Sequence, residues 1–142
     1  MPYVPKDIKQ YTLMINYLIV FLGGGLGSLC RFLLSTYVTK SVNSFFPMGT
    51  LTVNLIGSFI IGFCYELFER YIVPSEVRIL LTTGFLGGFT TFSTFALENT
   101  NLLRDGEYRY FLINLLTSNA AGVLFAFAGI MFIRIIFKFV MR

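Results

Sequence analysis

The stretch Thr82-Thr83-Gly84-Phe85-Leu86-Gly87-Gly88-Phe89-Thr90-Thr91-Phe92-Ser93-Thr94-Phe95 decides how this chain folds. It lies inside an apolar run of helix length, about Ile79 to Leu97, yet holds three glycines, five threonines and a serine where a plain membrane anchor would carry Leu and Ile. Gly-Gly followed by two β-branched residues is a poor helix interior, so this span is expected to break near its middle. Irregular backbone at membrane depth persists only where protein or a wet cavity surrounds it, because freed carbonyls otherwise lack partners. Such carbonyls can coordinate a cation, as in channel filters and broken transporter helices. The glycines also admit a plainer reading, close packing against another helix.

Three further apolar runs flank this one: about Tyr17 to Val38, Leu51 to Phe68 and Phe111 to Ile133. The 142 residues are 56% hydrophobic and only 13% charged, against ~25% charged for an average soluble domain, and the mean hydropathy is +0.75. At ~20 residues per span, four membrane helices consume most of the chain. No run alternates with the period of two expected of an outer-membrane barrel. The expected fold is therefore all-α, a single four-span membrane domain over residues 1–142, with residues 1–14 as a flexible or interfacial lead. The connections, 39–49, 69–78 and 98–110, leave no room for a soluble domain.

Histidine is absent, which removes the usual general base and the commonest transition-metal ligand; an enzyme is not expected. Cys30 and Cys64 sit singly in apolar runs and read as packing residues. The net charge of +4 comes from Lys and Arg scattered at the ends of apolar segments, the juxtamembrane pattern rather than a nucleic-acid patch. Lys6, Lys9, Arg70, Arg78, Arg134, Lys138 and Arg142 fall on the side of the termini, and Arg31, Lys40, Arg104 and Arg109 on the other. This weak bias favours cytoplasmic termini.

Polar residues within the spans mark where function can lie. Thr50, Asn54 and Ser58 recur every four residues and form a stripe on the second helix; Asn114 and Ser118 repeat the pattern on the fourth, with Gly122 at the next step. Such stripes either glue helices together or line a hydrated path. Phe92 and Phe95, three apart, share a face on a helix resumed after the break and are expected to stack along it. Their ring edges carry the positive part of the aromatic quadrupole, so they can meet an anion without a fixed charge. Arg31 is expected near one end of the first span, either snorkelling to the interface or holding an anion in a vestibule. Glu98 lies on the face of 91, 94 and 95, where it either bonds polar groups near a pore mouth or is solvated.

These segments carry a family resemblance. Gly23-Gly24-Gly25-Leu26-Gly27-Ser28-Leu29-Cys30-Arg31-Phe32, Pro47-Met48-Gly49-Thr50-Leu51-Thr52-Val53-Asn54-Leu55-Ile56-Gly57-Ser58, Gly84 to Phe95 and, more weakly, Asn114 to Gly122 together resemble the Fluc (CrcB) fluoride channels, four-span proteins of bacteria and archaea. The resemblance implies a fluoride-selective channel in the cell membrane that exports fluoride passively and confers fluoride resistance. It also implies an antiparallel, dual-topology dimer, of identical or paralogous subunits, with two pores built from both. By position Phe92 and Phe95 are the fluoride-contacting pair and Asn54 the supporting amide. Ser93, Thr94, Thr50, Ser118 and Glu98 fall along the polar track, and Arg31 in the vestibule. The carbonyls of Gly87 and Thr90 correspond to a structural Na⁺ site, one ion per dimer. Gly122 departs from members with Ser there, which leaves one donor of the track missing.

Two other readings compete. A proton-coupled small multidrug exporter is also four-span and dimeric, but requires a membrane-embedded carboxylate, and the charged residue of the first span is Arg31. A non-conducting accessory subunit would use the same stripes only as helix glue.

Overall fold

The computed structural model describes residues 6–42 and 44–140, and within them the side chains of residues 10–139. Among the described residues every regular element is helical: α1 (Lys6–Val42), α2 (Met48–Arg70), α3 (Ser75–Ile79), a π-helical segment (Leu80–Leu86), α4 (Gly87–Phe89), α5 (Phe92–Arg104) and α6 (Tyr108–Val140). Four membrane spans result, Gln10–Val42, Met48–Arg70, Ser75–Arg104 and Tyr108–Phe139. The protein is thus an all-α, multi-pass membrane protein with an interrupted third span.

The helices outrun the apolar runs that announce them. At 1.5 Å per residue the 37 residues of α1 extend ~55 Å, well beyond a hydrocarbon core of ~30 Å. From Lys6 onward the proposed lead is helical and continuous with the first span; residues 1–5 lie outside the described residues. The connections shrink accordingly. After α5 the chain turns through Gly106, whose φ of 77° places it in the left-handed region that glycine tolerates. Glu107 N–H then donates to the Leu102 carbonyl at 2.8 Å, closing the helix end. Between α2 and α3, Arg78 reaches back to donate from Nη2 to the Phe68 carbonyl (3.0 Å) and from Nε to the Val73 carbonyl (3.2 Å). Its guanidinium lies over the Phe68 ring, 5.3 Å from the centroid, inside the ~6 Å reach of a cation–π contact.

The spans associate chiefly as alternate pairs, α2 with α6 and α1 with the π segment and α4. Both contacts depend on glycines where backbones nearly touch. A Cβ on Gly129 would press on the Phe59 carbonyl, and one on Gly62 on that of Ala126. On the other pair, a Cβ on Gly23 would lie 3.0 Å from the Gly84 Cα, and one on Gly88 3.0 Å from the Gly24 Cα. So Gly84 and Gly88 serve close packing, the mode seen for small residues in membrane helices. The interruption itself falls just after them, at Thr90 (φ −87°, ψ 161°) and Thr91 (φ −150°, ψ 119°), near the middle of the span as expected from Gly-Gly followed by two β-branched threonines. Val53, Leu86 and Phe89 form the small buried core beside it.

An ion cluster fastens α2 to α6. Glu66, buried at 5% exposure, accepts from Arg70 at 2.7 Å through Oε1 and pairs with Arg134 at 3.0 Å through Oε2. Arg70 also lies 5.0 Å over the Phe137 ring. Arg134, which sits oddly close to the apolar run in sequence, is thereby accounted for.

Candidate functional site

Two extended residues interrupt the third span, and a side chain repairs the hydrogen bonding they disrupt. In an unbroken helix Thr91 N–H would reach the Gly87 carbonyl; here it donates to Asn54 Oδ1 at 2.8 Å. Asn54 Nδ2 donates in turn to the Thr91 carbonyl at 3.0 Å. One carboxamide thus satisfies both backbone groups of Thr91, which at membrane depth have no water to turn to. Thr91 Oγ1 accepts from Thr94 N–H at 3.2 Å and caps α5. The break therefore creates a new helix N-terminus mid-span, and its partial positive charge is presented without any ionised side chain.

Two cavities flank this joint. The larger, about 410 Å³ and open on one side, is bordered by Asn54, Ser58, Gly87, Thr90, Phe92, Phe95 and Ser118. Polar groups from three spans thus converge on the aromatic pair. The ring centroids of Phe92 and Phe95 are 5.6 Å apart with planes at 44°, so the pair is tilted rather than stacked as the spacing alone suggests. The two rings also differ in setting. Phe95 is buried at 8% exposure, while Phe92 stands out at 78%.

The smaller cavity, about 240 Å³, is bordered by Ser28, Arg31, Ser35, Thr50, Thr91 and Thr94. Arg31 lies well inside α1 rather than near its end, and Nη1 donates to the Thr90 carbonyl at 3.1 Å. Its position on the break, not at the interface, corrects the snorkelling alternative. Glu98 is not a solvated carboxylate: Oε1 accepts from Thr50 Oγ1 at 2.6 Å, and Oε2 is buried without a hydrogen-bond partner.

The second-span stripe therefore divides. Thr50 belongs to the smaller cavity, Ser58 to the larger, and Asn54 to the joint between them. Of the remaining sequence-selected residues, Ser93 borders neither cavity and lies 3.3 Å from Thr91 Oγ1. Ser118 donates to Asn114 Oδ1 at 3.1 Å, and Asn114 is buried at 1% exposure.

The family model described as CrcB-like protein, Camphor Resistance (CrcB), matches residues 18–130. The chain belongs to the CrcB family. It is 47% identical over 117 residues to a Parabacteroides distasonis protein named "Fluoride-specific ion channel FluC", covering 82% of this chain and 91% of the relative. Proteins of the same name from Aquifex aeolicus and Hydrogenobaculum are 49% identical over 111 residues and 45% over 116, covering 78% and 81% of this chain and 90% and 94% of theirs. The matched CrcB segment contains the break, both cavities and the aromatic pair.

Some participants escaped the sequence reading. Asn119 borders the larger cavity and donates from Nδ2 to the Leu115 carbonyl at 2.7 Å; a polar amide in an apolar span was the available signal. Asn99, buried at 6% exposure, donates to the Phe95 carbonyl at 2.8 Å. It sits one turn beyond Phe95, outside the two stripes. Glu66 and Arg70 were visible as an i,i+4 pair, but the link to Arg134 is tertiary.

Proposed function

We propose that this protein is a fluoride-selective channel that lets fluoride leave the cell passively and lowers its concentration in the cytoplasm. The observation that carries this reading is the convergence of the tilted Phe92–Phe95 pair, the Asn54 amide and the Ser58 and Ser118 hydroxyls on one groove beside a mid-span helix N-terminus. Fluoride is small and strongly hydrated, so a pore must replace its water with donors. Ring edges, hydroxyls, an amide and a helix dipole do so without a fixed cation that would trap the ion, and several weak sites in series let it leave as well as enter. The name shared by relatives at 45–49% identity supports the same ion.

The working unit we infer is an antiparallel dimer, with each pore walled by both copies. The groove is open on one side, and Phe92 projects from it. A desolvated anion in an open groove would face lipid tails, so the groove needs a cover of protein. A second copy in inverted orientation provides that cover and two equivalent pores.

A structural Na⁺ between the copies fits the backbone. The Gly87 carbonyl is deprived of the Thr91 N–H that a continuous helix would give it. The Thr90 carbonyl already accepts from Arg31 but keeps a second lone pair. Gly87 and Thr90 would hold the ion, which supplies positive charge between the facing helix breaks. Arg31 and Thr94 border the smaller cavity as a vestibule, and Glu98 holds Thr50 in place there.

The test is anion efflux from liposomes containing the purified protein. Fluoride release without chloride release is expected on ion-selective electrodes; well-reconstituted protein that releases no fluoride would overturn the reading and leave an accessory role.

A further inference from the structure

The donors around the larger cavity can be counted one proton at a time. Thr82 gives its hydroxyl proton to the Arg78 carbonyl at 2.8 Å, and Thr90 gives its own to the Leu86 carbonyl at 3.0 Å. Ser118 donates to Asn114 Oδ1 at 3.1 Å. Thr91 shares its hydroxyl with Ser93 and Thr94, at 3.3 and 3.0 Å. A hydroxyl has one proton, so those of Thr82, Thr90 and Ser118 are committed to these acceptors, and that of Thr91 lies within a cluster of three hydroxyls. Ser58 also borders the cavity, and its hydroxyl has no hydrogen-bond partner among the described residues.

Its location adds a second, independent observation. Along α6, Ser118 is followed one turn later by Gly122, which offers no side chain to the groove. A Cβ built on Gly122 would meet a single neighbour within 4 Å, Ser58 Oγ at 3.7 Å. The α2 hydroxyl therefore occupies the space beside the α6 position that lacks one.

We propose that Ser58 is a fluoride-contacting residue, its free O–H serving as the hydroxyl donor of the groove next to Gly122. The proposal rests on the channel reading above. An anion moving along the groove passes from the Asn54 amide and the aromatic pair to the Ser58 hydroxyl. That hydroxyl turns toward it without breaking an existing hydrogen bond. Ser118, in contrast, must first release Asn114.

Fluoride efflux from liposomes tests it, with dimer assembly followed by size-exclusion chromatography. Ser58→Ala should assemble normally and conduct about tenfold more slowly, the size expected when one hydrogen bond to a charged species is lost. Adding Gly122→Ser to Ser58→Ala should restore most of the flux, because the new hydroxyl projects into the same space. Should Ser58→Ala not assemble, Ser58→Cys keeps the shape while replacing O–H with a weak S–H donor, and should likewise be slow. Unchanged flux in whichever of these variants assembles overturns the proposal, and so does a loss that Gly122→Ser fails to repair. Absence of fluoride flux in the unmodified protein would instead overturn the channel reading itself.

Discussion

Asn54 shows how much a single side chain does in a membrane interior. Its carboxamide occupies the N–H and the carbonyl of Thr91 at once, so removing it strands two backbone groups far from water. Asn54→Ala is expected to destabilise the protein by about 1–3 kcal/mol for each group left unpaired, measured as a lower thermal midpoint in detergent. Asn54→Asp keeps the acceptor but turns a carboxylate toward the Thr91 carbonyl, and should rescue little. The aromatic pair permits a comparable separation of roles. Within one chain Phe95 is buried and Phe92 projects outward, so Phe95→Ile should cost about 1–3 kcal/mol of the stability of the single chain while Phe92→Ile changes it by about 0.5 kcal/mol or less. Both should slow fluoride efflux. Undiminished efflux in both would reduce the pair to packing.

At the scale of elements, the glycines and threonines of the third span divide the work between them. Gly84 and Gly88 let α1 approach, and Thr90-Thr91 make the break. The contrast can be checked on α1. A Cβ on Gly27 would run into the Phe85 carbonyl and lie 2.9 Å from Phe89 N, whereas one on Gly25 meets nothing within 4 Å. Gly27→Ala should destabilise by about 1–3 kcal/mol, as overpacking does; Gly25→Ala should be neutral in the same thermal unfolding assay. Equal effects would mean that α1 and the third span do not meet as described. Four spans and a broken third one were legible because apolar run lengths and the Gly-Gly-Phe-Thr-Thr sequence report backbone constraints directly. The split of the Thr50, Asn54, Ser58 stripe between two cavities was not legible. Residues four apart share a helix face, but which neighbour each meets depends on where the third span stops being a helix. The depth of Arg31 and the tilt of the Phe92 ring escaped for the same reason, since both are set by the course of a separate segment.

For the whole molecule, the Lys and Arg distribution decides little about orientation, so topology has to be read from a labelling experiment. Lys40, exposed in the last turn of α1, is a convenient reporter. If the dimer is antiparallel, a membrane-impermeant amine reagent should label Lys40 from each side of the membrane in about half of the copies, as judged after replacing the other lysines. Labelling from one side only would indicate a fixed topology and a paralogous partner. The ion cluster of Glu66, Arg70 and Arg134 holds α2 to α6 within one chain. Glu66→Gln should therefore lower the unfolding temperature in detergent, by leaving two guanidinium groups without their shared carboxylate.

The alternate pairing of the spans also governs how the protein is made. Translation delivers α1 and α2 to the bilayer first, yet the principal partner of α1 lies in the third span and that of α2 is α6. When half of the chain has left the ribosome, the glycine faces of both helices are still bare. The α1 pair can close once the third span is in the bilayer, but α2 finds its principal partner only when the last span emerges, so packing around the Asn54–Thr91 joint is completed at the very end of synthesis.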